Sequence, residues 1–218
     1  MEFKPGSEPL RWSSDRNCVH ARQHLMFDQP YTHQRWETDL VSEFIVRRAT
    51  ADDARGIVTV RVHSWQAGYR GLVPAAYSAS MSINDNAERT ERYLQSPNQS
   101  TQWVCIADTK TIGWASIYTN DRSLEGANNV VELNALYVLP EYWGSGAGFA
   151  LWSTIANTLV NGDVDEVILW VLAHNQRAIN FYERQGFIQD GTTKTEHLND
   201  DIALSAIGMR YGLAHPSL

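Results

Sequence analysis

At 218 residues, 43% of them hydrophobic and 20% charged, the chain can bury one sizeable core and still carry an extension. A net charge of −7 argues against a nucleic-acid-binding surface and leans toward cationic partners such as amines. No apolar run approaches the ~18 residues that span a bilayer. The start, MEFKPGSEPLRW, lacks the apolar stretch of a secretory signal. Cys18 and Cys105 fall in a polar segment and a predicted strand, which does not suggest a disulfide, so the cytoplasm is the expected compartment.

Residues 1–42 are polar, rich in Pro and His and without sustained periodicity. They read as an extension with local order at most, followed by one domain over 43–213 and a tail over 214–218. FIVRRAT (44–50) is a predicted strand, and Ala51-Asp52-Asp53 opens a helix toward Trp65 with acids in its first turn. GYRGLVP (68–74) is a loop, and 75–95 form one or two short helices. QWVCIADT (102–109) and TIGWASIYT (111–119) read as a hairpin around a tight turn at Lys110. VVELNALYV (130–138) is a strand, and a helix runs from Gly146 to Leu159. DEVILWVLA (165–173), the most apolar strand, is expected to be central. Asn175 caps the helix QRAINFYERQ, which stops at Gly186. FIQD and ALSAIGMRYG (203–212) complete the strands. The order βα(α)βββαβαββ predicts a mixed sheet covered by helices.

The stretch YVLPEYWGSGAGFALW (137–152) couples a strand, a glycine-rich turn and a helix start. Backbone N–H groups without intrahelical partners point outward there, and glycines let a phosphate approach. A dinucleotide fold would place such a turn early, with an acid ~20 residues on. Here it comes late, after three antiparallel-type strands, and the Gly-Lys-Ser/Thr of a P-loop is absent. In the second informative segment, VLAHNQRAINFYERQGF (171–187), Asn175, Ala178, Ile179 and Tyr182 share one helix face.

With these two segments and WQAGYRGLVP (65–74), the chain resembles the GNAT superfamily of acyl-CoA-dependent N-acetyltransferases over roughly residues 44–212. The resemblance implies an α/β (α+β) fold with a mixed, mostly antiparallel sheet of six to seven strands, splayed between the fourth and fifth, with helices on both faces. It implies acetyl-CoA as cosubstrate, no metal, and an amine of a small molecule or peptide as acceptor. Related proteins also form homodimers. Pantetheine would lie along Leu136, Tyr137 and Val138. The pyrophosphate would sit on the N–H groups of Gly144, Ser145, Gly146, Ala147, Gly148 and Phe149, with Asn175 and Ala178 beside the pantetheine arm. Trp65, Tyr69 and Arg70 would line the acceptor side, or else pack the first helix on the sheet. The chain departs from the family's Gln/Arg-x-x-Gly-x-Gly/Ala loop, because Glu141 or Trp143 stands at the leading position depending on register. Glu141 would repel phosphate if it pointed inward, and a basic residue from elsewhere would have to compensate.

Acetyl transfer needs a neutral amine, and an alkylammonium of pKa ~10.4 is mostly charged at neutral pH. The expected base is Glu132, acting through water and read as sharing a strand face with Asn134, Leu136 and Val138. Its alternative is an ordinary polar strand-end residue. Tyr182 is the expected acid for the thiolate, or else a core aromatic beside Phe181. The thioester carbonyl would take the N–H of Leu136 or Val138. Cys105, Trp152 and Trp170 read as core, and His174 as a loop residue. Cys18, His20, His24 and His33 match no standard metal spacing. The rival reading is a non-catalytic acyl-CoA-binding sensor that uses the same loop without turnover.

Overall fold

The computed structural model describes residues 19–20, 44–96, 100–119, 129–162, 164–199 and 201–213. Cys18, His24 and His33, the side chain of His20, and all but two residues of the 1–42 extension lie outside the described residues, as does the 214–218 tail. The sheet strands are β1 (Ile45–Arg48), β2 (Ser100–Ala107), β3 (Lys110–Thr119), β4 (Val130–Val138), β5 (Glu166–Leu172), β6 (Ile188–Asn199) and β7 (Ile202–Gly212). A two-residue strand, Val19–His20, pairs antiparallel with β1 at the sheet edge. Spatial order after that edge pair is β1-β2-β3-β4-β5-β7-β6, antiparallel everywhere except β4 against β5. The helices are α1 (Ala54–Gly68), α2 (Ala75–Ala79), α3 (Ile83–Gln95), α4 (Ala147–Val160) and α5 (Gln176–Arg184).

The helices form where the patterning places them. On α4, Ala147, Ala150, Leu151, Thr154 and Ile155 recur at three- and four-residue spacing and are buried. The four apolar ones join Cys105, Ala115, Leu133, Val167 and Met209 in one core. The opposite sheet face is covered by α1, whose Ile57, Val58 and Val60 are buried, and α3 packs on α1. α5 is short and buries Ile179 alone. The Asn175 side chain accepts from Ala178 N–H at 3.3 Å, so the predicted cap forms.

Four expectations need correction. The β2–β3 turn sits at Asp108–Thr109, with Asp108 left-handed at φ 53°, rather than at Lys110, which already pairs with Ala107. FIQD is only the start of a 12-residue strand. β6 is an edge strand without a fully buried residue, so it carries no apolar alternation to read. Trp170 is half-buried rather than core, because the β5 face bearing Ile168, Trp170 and Leu172 is only partly covered. The fourth correction concerns β4. Leu133 pairs with Ile117 and Ala135 with Ser116, leaving Asn134 as the extra residue of a bulge. Cross-strand partners share a face, so Glu132 (opposite Tyr118) lies with Ala135 and Tyr137 (opposite Ser116 and Trp114). Leu136 and Val138 lie on the other face, since the bulge breaks the alternation that grouped them with Glu132.

The entry to α1 is held by one carboxylate. Asp53, only 7% exposed, takes both Arg47 guanidinium nitrogens at 2.7 and 2.9 Å and also the Thr50 N–H at 2.8 Å. Burial alone would raise its pKa, but the Arg47 hydrogen bonds and the Thr50 donors outweigh it and hold the carboxyl below its usual range. A lowered folded-state pKa means stability present above the unfolded value and lost as pH falls through the folded one. Asp53→Ala is therefore expected to cost about 1.5–3 kcal/mol at neutral pH. Urea titrations should show that deficit shrinking toward zero as the pH drops below the normal carboxylate range.

Candidate functional site

β4 and β5 pair at only three positions, Val130↔Glu166, Val131↔Val167 and Glu132↔Ile168. β4 stays paired with β3 as far as Val138, and β5 with β7 along its whole length. Beyond Glu132 the two strands part, and a cavity of about 360 Å³ opens between them. Leu136, Tyr137 and Val138 line one wall, while Trp170, Val171, Asn175, Ala178 and Tyr182 line the other. The Val138 carbonyl points into the gap, accepting from Ser64 Oγ at 2.9 Å and Trp143 Nε1 at 2.8 Å. Strand periodicity turns the N–H and C=O of Leu136 to the same open edge, where β5 offers no partner.

The mouth of this cleft is the glycine turn. Gly144 and Gly146 have φ of 81° and 94°, the left-handed region that non-glycine residues rarely adopt. Gly146 is the N-cap of α4, and the first bond within the helix runs from Ala150 N–H to the Gly146 carbonyl. The N–H groups of Ala147, Gly148 and Phe149 therefore have no carbonyl acceptor in α4. Gly148 lies against α5, where a Cβ would stand 3.1 Å from the Phe181 ring. The Phe149 ring is exposed at the rim.

The two departures from the family's loop have distinct outcomes. Glu141 turns away and pairs with Lys110 at 2.9 Å, both half-exposed, so it does not face the turn. Trp143 is anchored by its bond to the Val138 carbonyl, and the Arg177 guanidinium of α5 stacks over its ring at 3.5 Å. Both side chains line the cleft beside Gly144 and Gly146. Arg177 thus puts a cation beside the glycine turn. Sequence reading missed it because α5 follows the glycine turn by some thirty residues and Arg177 lies outside its apolar face.

Tyr182 lies in the cleft wall, edge-on to Phe181 and Phe187 at 5.3 and 5.5 Å. Burial first, then the nearby Tyr137, pushes its phenol pKa well above the usual value. Tyr69 is pushed up the same way by burial and by Tyr137 and Tyr182. The Tyr137 ring stacks on Trp114, and its hydroxyl accepts from Trp65 Nε1 at 3.1 Å. Trp65 and Tyr69 therefore belong to one aromatic cluster with Tyr137, in which Tyr69 also lines the cleft, whereas Trp65 and the exposed Arg70 line neither of the two cavities. Glu132 is half-buried at the closed end of the parting strands. Asn134, the bulge residue, lines the cleft and also a second cavity on the α1–α3 side. Cys105 is fully buried, and its thiol is pushed up to about 12 by desolvation, so it is unreactive. No group of three or more His, Cys, Asp or Glu side chains among the described residues could hold a metal ion. No helix among them is long and apolar enough to cross a membrane.

A family model described as Acetyltransferase (GNAT) family matches residues 62–187. An uncharacterized N-acetyltransferase of Archaeoglobus fulgidus is 31% identical over 140 residues, which is 64% of this chain and 90% of that protein. The uncharacterized N-acetyltransferase YuaI of Bacillus subtilis is 28% identical over 141 residues, covering 63% of this chain and 76% of its own. In fold, the chain is similar to the PaiA N-acetyltransferase of Thermoplasma acidophilum, solved in complex with coenzyme A. The TM-score is 0.59 at 22% identity, over 78% of this chain and 99% of that one. An N-acetyltransferase from Staphylococcus aureus gives a TM-score of 0.60 at 17% identity, over 79% and 100%.

Proposed function

The chain belongs to the GNAT family of acetyltransferases, and on that premise we propose that it moves an acetyl group from acetyl-CoA to a primary amine of a small molecule or peptide by direct attack in a ternary complex. The observation that carries the reading is the parting of β4 from β5, which puts an unpaired strand edge, a glycine turn and Tyr182 in one cleft.

In this reading the pyrophosphate sits on the turn from Gly144 to Phe149, chiefly on the N–H groups of Gly148 and Phe149, since those of Ser145 and Ala147 donate to the Tyr142 carbonyl and to Ser145 Oγ. The helix terminus contributes about 0.3–1 kcal/mol, up to ~2 when partly buried. Arg177, held on Trp143, supplies the positive side chain. Asn175 and Ala178 flank the pantetheine arm along Leu136, Tyr137 and Val138. The Val138 carbonyl is already engaged twice, so Leu136 is the residue with both edge groups available. Its N–H takes the thioester oxygen as charge develops there.

The amine nitrogen attacks the carbonyl carbon, the N–C bond forms, and the C–S bond breaks with its electron pair leaving on sulfur. The amine proton passes through water to Glu132, and the departing thiolate takes its proton from solvent after first being held by a hydrogen-bond donor. Tyr182 is the donor nearest that role. Its raised pKa keeps it protonated throughout the working range, so it serves as a fixed donor rather than a titrating one. With Cys105 buried and unreactive, no acyl-enzyme is invoked.

Four outcomes are expected. Calorimetry should show Gly146→Val weakening CoA binding about five- to thirtyfold, since a left-handed non-glycine residue costs about 1–2 kcal/mol. Arg177→Ala should weaken it by about three- to tenfold, while Glu141→Gln should stay within about twofold of the parent. Tyr182→Phe should lower kcat by about 10²-fold without moving the alkaline limb of the pH profile, and an unchanged kcat would remove its role. Glu132→Gln should lower kcat/KM about 10²-fold near neutral pH, with the loss narrowing as pH approaches the amine's own pKa of ~10.4, where no base is required. CoA binding without thiol release on any amine would favour the sensor reading instead.

A further inference from the structure

The second cavity, about 700 Å³, lies on the α1–α3 side of the sheet. Its floor comes from Gln102, Trp114 and Ser116. That floor is neutral and internally satisfied: Trp114 Nε1 donates to Gln102 Oε1 at 2.7 Å, and Gln102 Nε2 donates to Ser116 Oγ at 2.9 Å. The walls differ sharply from the floor. Arg61 of α1 and Arg89 and Arg92 of α3 all line the cavity, and no Asp or Glu among the described residues does. The Arg92 Nε donates to the Glu88 carbonyl, a backbone contact that leaves its charge uncompensated. None of the three guanidiniums forms an ion pair among the described residues. Three cations around one cavity, without an ion-pair partner among the described residues, stand against the trend of a chain with 25 acidic and 18 basic residues.

Asn134 is the single residue that lines both this cavity and the cleft between β4 and β5. The two cavities therefore share a wall there. An acceptor entering from the α1–α3 side would bring its reacting end to Asn134 and leave its other end among the arginines. A plain alkylammonium or a polyamine is repelled by that wall. A carboxylate or phosphate meets planar, multi-donor partners of opposite charge.

We propose that the acceptor is an amine that also carries an anionic group, with the amine at Asn134 and the carboxylate or phosphate held by Arg61, Arg89 and Arg92. This rests on the acetyltransferase reading and narrows its acceptor class, replacing the cationic preference that net charge alone suggests.

The test compares matched amines. Thiol release is measured with acetyl-CoA and β-alanine or γ-aminobutyrate against propylamine, butylamine and putrescine, and with O-phosphoethanolamine against ethanolamine. At least one anionic amine is expected to exceed its neutral partner by about tenfold or more in kcat/KM, and added salt should erode that preference. The carboxylate and phosphate arms tell the two anions apart. In the triple variant Arg61→Gln, Arg89→Gln, Arg92→Gln, the ratio of anionic to neutral amine should collapse by about tenfold, with CoA calorimetry as the control for folding. Calorimetric titration of the same anionic amines into CoA-loaded protein gives a readout that needs no turnover. Binding that the triple variant loses, without thiol release, would keep the proposal and remove the transfer reading. Preference for neutral or cationic amines, equal losses toward both classes, or no anionic amine binding at all would overturn it.

Discussion

The site depends on a failure of strand pairing. A parallel pair that ran its full length would spend the edge groups of β4 on β5 and leave no room between them. Pairing instead stops after Glu132, and everything assigned to the donor side follows from that gap. The edge of β4 becomes a row of backbone donors and acceptors, α4 starts at the mouth of the opening, and α5 closes its far wall with Tyr182. The antiparallel neighbours keep the gap from collapsing. β3 holds β4 to its end and β7 holds β5 along its length, so each lip is supported from outside the site.

Much of this was legible in the chain because local chemistry and tertiary role coincide. β4 and the capped start of α5 fall where alternation and Asn175 put them, and the glycine turn lies where only glycines tolerate the backbone. What was not legible depends on partners distant in sequence. The bulge at Asn134 leaves no mark in VVELNALYV and becomes visible only against Ser116 and Ile117. β6 hides because an edge strand that buries no residue fully has little reason to alternate in sequence. The three arginines lie on two helices and declare themselves only when α3 packs on α1. Net charge pointed the other way, since a sum over the whole surface says nothing about one cavity.

The glycine turn departs from its family's pattern. Where the family's loop offers a Gln or Arg, this chain has an acid and an indole. The acid is drawn off by Lys110. The indole ties the turn to the Val138 carbonyl and carries a guanidinium on its ring. One residue thus bridges β4, the turn and α5, so that loop geometry and local charge depend on the same contact. Ser64 of α1 reaches the same carbonyl, which links the helix on the opposite face to the cleft's edge.

The extra residue at Asn134 divides β4 into two segments with opposite registers. Before it, Leu133 faces the core with Ile117; after it, Leu136 and Val138 do so while Tyr137 turns to α1. In an unbroken strand the side chains of both segments are locked in phase, and a change in one alters what the other presents. The bulge uncouples them. The segment that carries Glu132 and the segment that offers its edge to the cleft can each be rewritten in sequence without moving the other's faces, so the two halves of the same strand are free to diverge separately.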